Sequence, residues 1–182
     1  QAFNINVNRL HIQIKMNKIE IKEILSKQIE EYKIFLALGL QNDKESLLIT
    51  HKENSKAPFP TKDKTDSFTL GAYVENVLAG VVSFIRDGED REKLRHKGIL
   101  STMYVSSDFR GHGIARGLLE ELIERVKAIP DIEQINLIVI SDNSKAKQLY
   151  EKFGFERYGT EQNSIKWGNN YFAEDQMVLR LK

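Results

Sequence analysis

The chain of 182 residues contains no cysteine. That excludes disulfides, thiolate metal sites and a cysteine acyl-enzyme, and it fits a reducing, cytoplasmic setting. No run of about 18 apolar residues occurs, so no stretch reads as a membrane-spanning helix. Residues 1–15 also lack the apolar core of a secretory signal. Neither charge sign is in excess, with 27 Lys and Arg against 26 Asp and Glu and a net charge of +1. No basic stripe is interleaved with aromatics, which argues against a nucleic-acid ligand. The histidines His11, His51, His96 and His112 show no metal-pair spacing, so no metal is expected. With three prolines and no linker-like, repeated or low-complexity segment, residues 1–182 read as one domain long enough to bury its own core. Residues 1–15, ahead of Met16, are either an upstream extension or a segment foreign to the native chain.

What is present centres on residues 98–127. An apolar, β-branched run at 98–105 passes through Ser106-Ser107-Asp108-Phe109 into Arg110-Gly111-His112-Gly113-Ile114-Ala115-Arg116-Gly117, and then into a helix. Ile114, Ala115, Leu118, Leu119, Leu122, Ile123 and Val126 fall at the spacing of a buried helical stripe, with Glu120, Glu121, Glu124 and Arg125 opposite. Pro130 ends it. Backbone N–H groups therefore converge where a helix begins, beside glycines that no side chain shields, which is how a main chain cradles an anion. Arg110 adds a charged clamp. The competing reading is a plain strand-to-helix turn. The dinucleotide fingerprint fails, because Arg116 stands where its third glycine belongs, and no P-loop Gly-Lys-Ser/Thr occurs.

These residues resemble the GNAT superfamily of acyl-CoA-dependent N-acetyltransferases. Its signature, Arg/Gln-x-x-Gly-x-Gly/Ala after a strand, is matched by Arg110-Gly111-His112-Gly113-Ile114-Ala115 behind Met103-Tyr104-Val105. A second block follows as Asn143, Ala146, Leu149-Tyr150 and Gly154-Phe155. The likeness covers about residue 68 to the C-terminus well and the first third loosely.

Along the chain, 10–14 and 18–21 both alternate apolar with polar, and the second is the preferred first strand. Ser26 is a candidate N-cap for a helix carrying Ile29, Tyr32, Phe35 and Leu36, with Gly39 as its C-cap. Leu47, Leu48 and Ile49 suggest a short helix, and residues 57–60 a loop. Residues 68–74 and 77–85 read as a hairpin around Glu75-Asn76. Residues 86–97 form a charged loop, read either as solvated or as an acceptor-binding rim. The apolar run 135–140 suits a parallel strand with both faces covered, closing a right-handed βαβ unit. Ser141-Asp142-Asn143-Ser144 supplies the start residues of a helix that ends at Gly154, with Ala146, Leu149, Tyr150 and Phe153 on one face, and strands follow at 155–160, 164–167 and 177–181. The sum is an α+β fold. The resemblance sharpens it to a central, mostly antiparallel mixed sheet of six or seven strands with one splayed parallel pair, flanked by about four helices.

The resemblance implies acetyl-CoA as co-substrate, entering the splay beside Met103, Tyr104 and Val105 with its pyrophosphate on the amides of Arg110, Gly111, His112, Gly113, Ile114 and Ala115. Tyr150 is then either the acid that assists thiolate departure or a core tyrosine. Asn143 is either a helix cap or a contact to the pantetheine arm. Ser101, Thr102, Glu75, Asp87, His96 and His112 give no convincing general base, and none is assigned. The expected activity is direct acetyl transfer to the amine of a small molecule or protein in a ternary complex, by an enzyme whose relatives often form homodimers. The alternative is a non-catalytic acyl-CoA-binding sensor or interaction module. The poorly patterned segment 41–66 is where acceptor choice is expected.

Overall fold

A computed structural model describes residues 19–43, 47, 49–88 and 90–181. The alternative strand at 10–14, Lys18 and Leu48 lie outside them. The strands are β1 (Ile19–Ile24), β2 (Phe68–Val74), β3 (Val77–Arg86), β4 (Lys97–Val105), β5 (Gln134–Ile140), β6 (Glu156–Trp167) and β7 (Asn170–Arg180), with β2 and most of β3 buried on both faces. They form one sheet in the order β1-β2-β3-β4-β5-β7-β6. All neighbours are antiparallel except β4 and β5. The β2–β3 turn uses Glu75 and Asn76, both at positive φ, the geometry that suits a two-residue hairpin.

Each face of the sheet carries its own core. On one side α3 (Ile114–Lys127) and α4 (Ser144–Lys152) cover Leu70, Val82, Phe84, Leu100, Val105, Ile135 and Leu137. The stripe expected of α3 is the one buried, with Leu118, Leu119, Leu122 and Val126 fully enclosed. On the other side α1 (Ile29–Asn42) sits over a second cluster that joins Tyr32, Phe35 and Leu36 to Tyr73, Val81 and Tyr104, and α2 (His51–Lys56) packs on α1 through Asn54, which donates to the Lys33 carbonyl.

Several local expectations shift. Ser26 opens a short 3₁₀ turn, and its backbone and hydroxyl donate to Asp63 instead of capping α1. Helix α1 runs through Gly39, whose missing Cβ lets the Tyr104 ring approach; a Cβ would stand 2.7 Å from that ring. The short second helix begins at His51 behind a capping box formed by Thr50 and Glu53. Residues 156–160 and 164–167 belong to the single strand β6, whose bulges at Arg157/Gly159 and Glu161/Ile165 break the alternation, and Phe155 precedes it. Arg86 is not part of a solvated loop. It ends β3 with its side chain 2% exposed, and it donates to both carboxylate oxygens of Asp131 at 2.8 and 2.5 Å.

Candidate active site

Strands β4 and β5 pair only at Lys97–Gln134, Gly98–Ile135 and Ile99–Asn136. Beyond that, β4 residues 100–105 have no partner on the β5 side, while β3 continues to pair with them as far as Gly80–Val105. A bulge accompanies the divergence, because the β3–β4 register shifts between Val81 and Ser83. There Thr102 adopts φ 50°, a conformation costly for a β-branched residue. Ser101 and Thr102 consequently lie on one side, with their hydroxyls 3.3 Å apart. Past the bulge, Met103 packs toward the α3–α4 core, Tyr104 toward the α1 core and Val105 back toward α3.

The open end leads into the glycine turn. Gly111 and Gly113 have φ 80° and 81°, and an added Cβ at either would meet nothing within 4 Å. Among the described residues, the N–H groups of 111–116 have no acceptor, and the first satisfied amide, Gly117, donates to the Gly113 carbonyl at 2.9 Å. These are the orphan donors of α3, at the positive end of its dipole, in open space. A diphosphate fits such a cradle. His112 is exposed, with Nδ1 3.3 Å from the Phe109 carbonyl. The Arg110 side chain is engaged elsewhere: its Nε donates to the Val105 carbonyl at 3.0 Å and its guanidinium pairs with Asp43 at the end of α1. Arg110 thus ties the end of β4 to α1, a link no sequence pattern announces.

The far wall is α4. Asn143 caps it, its side-chain oxygen accepting from the Ala146 N–H at 3.1 Å. Tyr150 is 6% exposed in the same core as Val105 and Ile114, its ring 5.7 Å from Phe155. Burial pushes its phenol up to about 12, and its hydroxyl has no hydrogen-bond partner among the described residues. At neutral pH it is therefore a neutral donor. Asp175, on β7 with its side chain 1% exposed, binds this wall together. It accepts from Thr160 at 2.7 Å, Lys147 at 2.9 Å and Ser141 at 3.0 Å, which lowers its carboxyl to about 2. An acid in register with Met177 and Leu179 on the inward face of a strand was the available signal for it. No group of three or more His, Cys, Asp or Glu that could hold a metal occurs among the described residues.

A concavity of about 560 Å³ lies at the other end of α3, lined by residues including Glu23, Asp66, Arg125 and Pro130. Much of its charge is already engaged, Arg125 with Glu23 at 3.0 Å, Asp66 with Arg86 at 3.0 Å and Asp63 with Ser26, which suits a packing groove.

A model of the acetyltransferase (GNAT) family matches residues 31–155. The chain belongs to the GNAT family. Among curated relatives, this GNAT chain is 33% identical over 103 residues to an acetyltransferase of Sodalis glossinidius, covering 57% of this chain and 66% of that protein. It is 38% identical over 56 residues to the L-amino acid N-acetyltransferase of Escherichia coli, covering 31% and 35%. It is 31% identical over 98 residues to N-alpha-acetyltransferase 40 of Saccharomyces cerevisiae, covering 50% and 34%. The chain therefore spans between about one third and two thirds of the length of these relatives. A crystal structure of a GNAT acetyltransferase from Streptococcus pneumoniae superposes with TM-score 0.73 at 26% identity, covering 91% of this chain and all of that one. Among the described residues, the seven-stranded sheet, its single parallel pair and four α-helices match the fold expected for the family.

Proposed function

We propose that this protein transfers an acetyl group from acetyl-CoA to a primary amine by direct attack in a ternary complex. One observation carries the reading: the β4–β5 pairing stops at Ile99–Asn136, and the gap opens toward six consecutive N–H groups, 111–116, that lack an acceptor. Backbone groups of Met103 and Val105 on the unpaired edge are suited to hold an extended, amide-bearing arm, and the amides of 111–116 its diphosphate. Met103, Tyr104 and Val105 serve through the main chain, since their side chains are packed into the two cores.

Acetyl-CoA supplies the activated acyl group. The chain supplies orientation and donors that need no reorganisation as charge develops, a contribution worth roughly 3 kcal/mol per donor where such a group has been removed from other enzymes. Tyr150, protonated throughout the physiological range, donates a hydrogen bond to the departing sulfur. Asn143 sets the start of the helix that carries Tyr150. The described residues supply no obvious carboxylate base beside β4, so the amine is read as losing its proton to water.

Relatives are named for amino acids, protein α-amino groups and spermine. Their common chemistry is a primary amine, and that is the acceptor class proposed, in a cytoplasmic setting. No helix among the described residues is long and apolar enough to cross a membrane.

The test is acetyl-CoA binding followed by release of free CoA on adding amines. At a hundredfold excess over Kd, mass action adds about 2.7 kcal/mol, which for a chain of this size raises Tm by about 5–10 °C. An unmoved Tm would remove the proposal. A shift with no CoA release from amino acids, polyamines or peptide N-termini would favour a binding module.

A further inference from the structure

We infer that the ion pair of buried Asp175 with Lys147 fixes α4 on the sheet and so sets the Tyr150 hydroxyl in place, making Asp175 and Lys147 positioning residues for acyl transfer; this rests on the reading of Tyr150 as the hydrogen-bond donor to the departing sulfur.

The two helices on this face of the sheet are held in different ways. Helix α3 buries Ile114, Leu118, Leu119, Leu122, Ile123 and Val126, so its position follows from an apolar stripe. Helix α4 has nine residues and fully buries only Tyr150, with Ala146, Leu149 and Phe153 partly enclosed. A helix this short is marginal by itself and takes its place from tertiary contacts. Its polar anchor is Lys147, whose Nζ donates to Asp175 Oδ2 at 2.9 Å. Lys147 stands one turn before Tyr150, at the spacing that puts two side chains side by side on a helix. The other carboxylate oxygen, Asp175 Oδ1, accepts from Thr160 on β6 at 2.7 Å and from Ser141, just past β5, at 3.0 Å. The Ser141 N–H in turn donates to the Ala173 carbonyl on β7 at 2.9 Å. Arg157 approaches the same carboxylate at 3.6 Å from an exposed position. One side chain, 1% exposed, therefore ties together β6, β7, the end of β5 and α4, the elements across the gap from β4. A buried carboxylate is costly unless its partners are fixed, and an apolar contact would hold these elements together as firmly. What the ion pair adds is direction. It sets the height and rotation of α4, and with them the place of a hydroxyl carried on the next turn.

The test is acetyl transfer to spermine, leucine and a short peptide, with acetyl-CoA calorimetry, on the whole chain as wild type, Lys147→Met, Tyr150→Phe and the double variant. Lys147→Met is expected to lower kcat about tenfold, less than the hundredfold that a displacement of about 1 Å can cost, while the acetyl-CoA Kd stays within about twofold. Lys147→Arg, which renews the pair with Asp175, should recover most of that rate. In the Tyr150→Phe background, Lys147→Met should change kcat less than about twofold. A Lys147→Met rate equal to wild type overturns the proposal, and so does a tenfold loss that persists without the Tyr150 hydroxyl, which would leave the ion pair a matter of stability. A Tyr150→Phe rate equal to wild type also overturns it, while acetyl transfer itself stands. Should Lys147→Met fail to fold, Asp175→Asn takes its place in both backgrounds. If wild type acetylates none of the acceptors, the failure lies with the proposed function, and the NMR signals of the Tyr150 ring decide alone. Assigned by their loss in Tyr150→Phe, they should shift in Lys147→Met while those of Tyr32 and Tyr104 in the opposite core hold. Tyr150 signals that stay, or signals that move alike in both cores, refute the anchor.

Discussion

The β4–β5 pair is built differently at its two ends. At the closed end, Lys97–Ile99 and Gln134–Asn136 share a ladder that Arg86 pins from below through Asp131, with Arg95 adding a second contact to that carboxylate at 3.1 Å. Gly98 is pressed against Phe84, and the Glu133 N–H donates to the His96 carbonyl at 2.7 Å. At the open end the same strands share nothing, Thr102 is held in a costly conformation, and a run of amides faces space. Stability is concentrated where the pair closes, and unsatisfied backbone where it opens. Unpaired backbone groups are rare where they are buried, and those of 111–116 stand instead at an open helix start. Their gathering at one end suits that end to the polar ligand proposed for it.

Breaking the closed end should cost folding. An added Cβ at Gly98 would stand 2.1 Å from the Phe84 ring and 3.0 Å from the Ile85 carbonyl, which cannot move aside without unpairing β3. Gly98→Ala is expected to destabilise by about 3 kcal/mol in urea unfolding, the upper range for overpacking. Breaking the open end should cost binding. Gly113→Val places a branched side chain into the open cradle at φ 81°, and acetyl-CoA affinity measured by calorimetry should fall about a hundredfold, with a stability loss of only about 1–2 kcal/mol. A variant that keeps its affinity would return the turn to a structural role.

Smaller effects sharpen the contrast. Tyr150→Phe should leave acetyl-CoA affinity unchanged while lowering kcat by up to roughly a hundredfold, the range for one positioned acid; equal rates would leave Tyr150 a core residue. Asp175 lies on the far wall, and its carboxyl is lowered to about 2 in the fold against about 3.9 when unfolded. A lowered folded value means its stabilisation is complete above about pH 4 and is lost as pH falls from about 4 towards 2. Asp175→Asn should flatten the acid limb of the stability profile in that window, measured by Tm against pH.

Much of this was legible in the chain itself. The βαβ unit announces itself through the α3 stripe, Pro130 and the apolar run at 135–140, although that run buries only one face, with Ile138 56% exposed on the other. The hairpin at Glu75-Asn76 and the Asn143 cap are equally local. The bulge was not legible, since threonine disfavours positive φ and no local pattern in β4 calls for it. Arg86 reads as one more charge in a polar run, and its burial follows from partners as distant as Asp131. The continuity of β6 is hidden by Gly159 and by Asn163 at φ 57°, where bulges interrupt the alternation. The Thr50 and Glu53 capping box is a readable local signal, displaced by the apolar triplet at 47–49.

Amide hydrogen exchange with and without acetyl-CoA tests the central claim most directly. In the unliganded protein, amides 111–116 should exchange fast while those of Gly98 and Ile99 are protected, and acetyl-CoA should slow exchange at 103–105 and 111–116 without altering the closed end. Protection of 111–116 before ligand is added, or none after saturation, would contradict the assignment of this cleft to the cofactor.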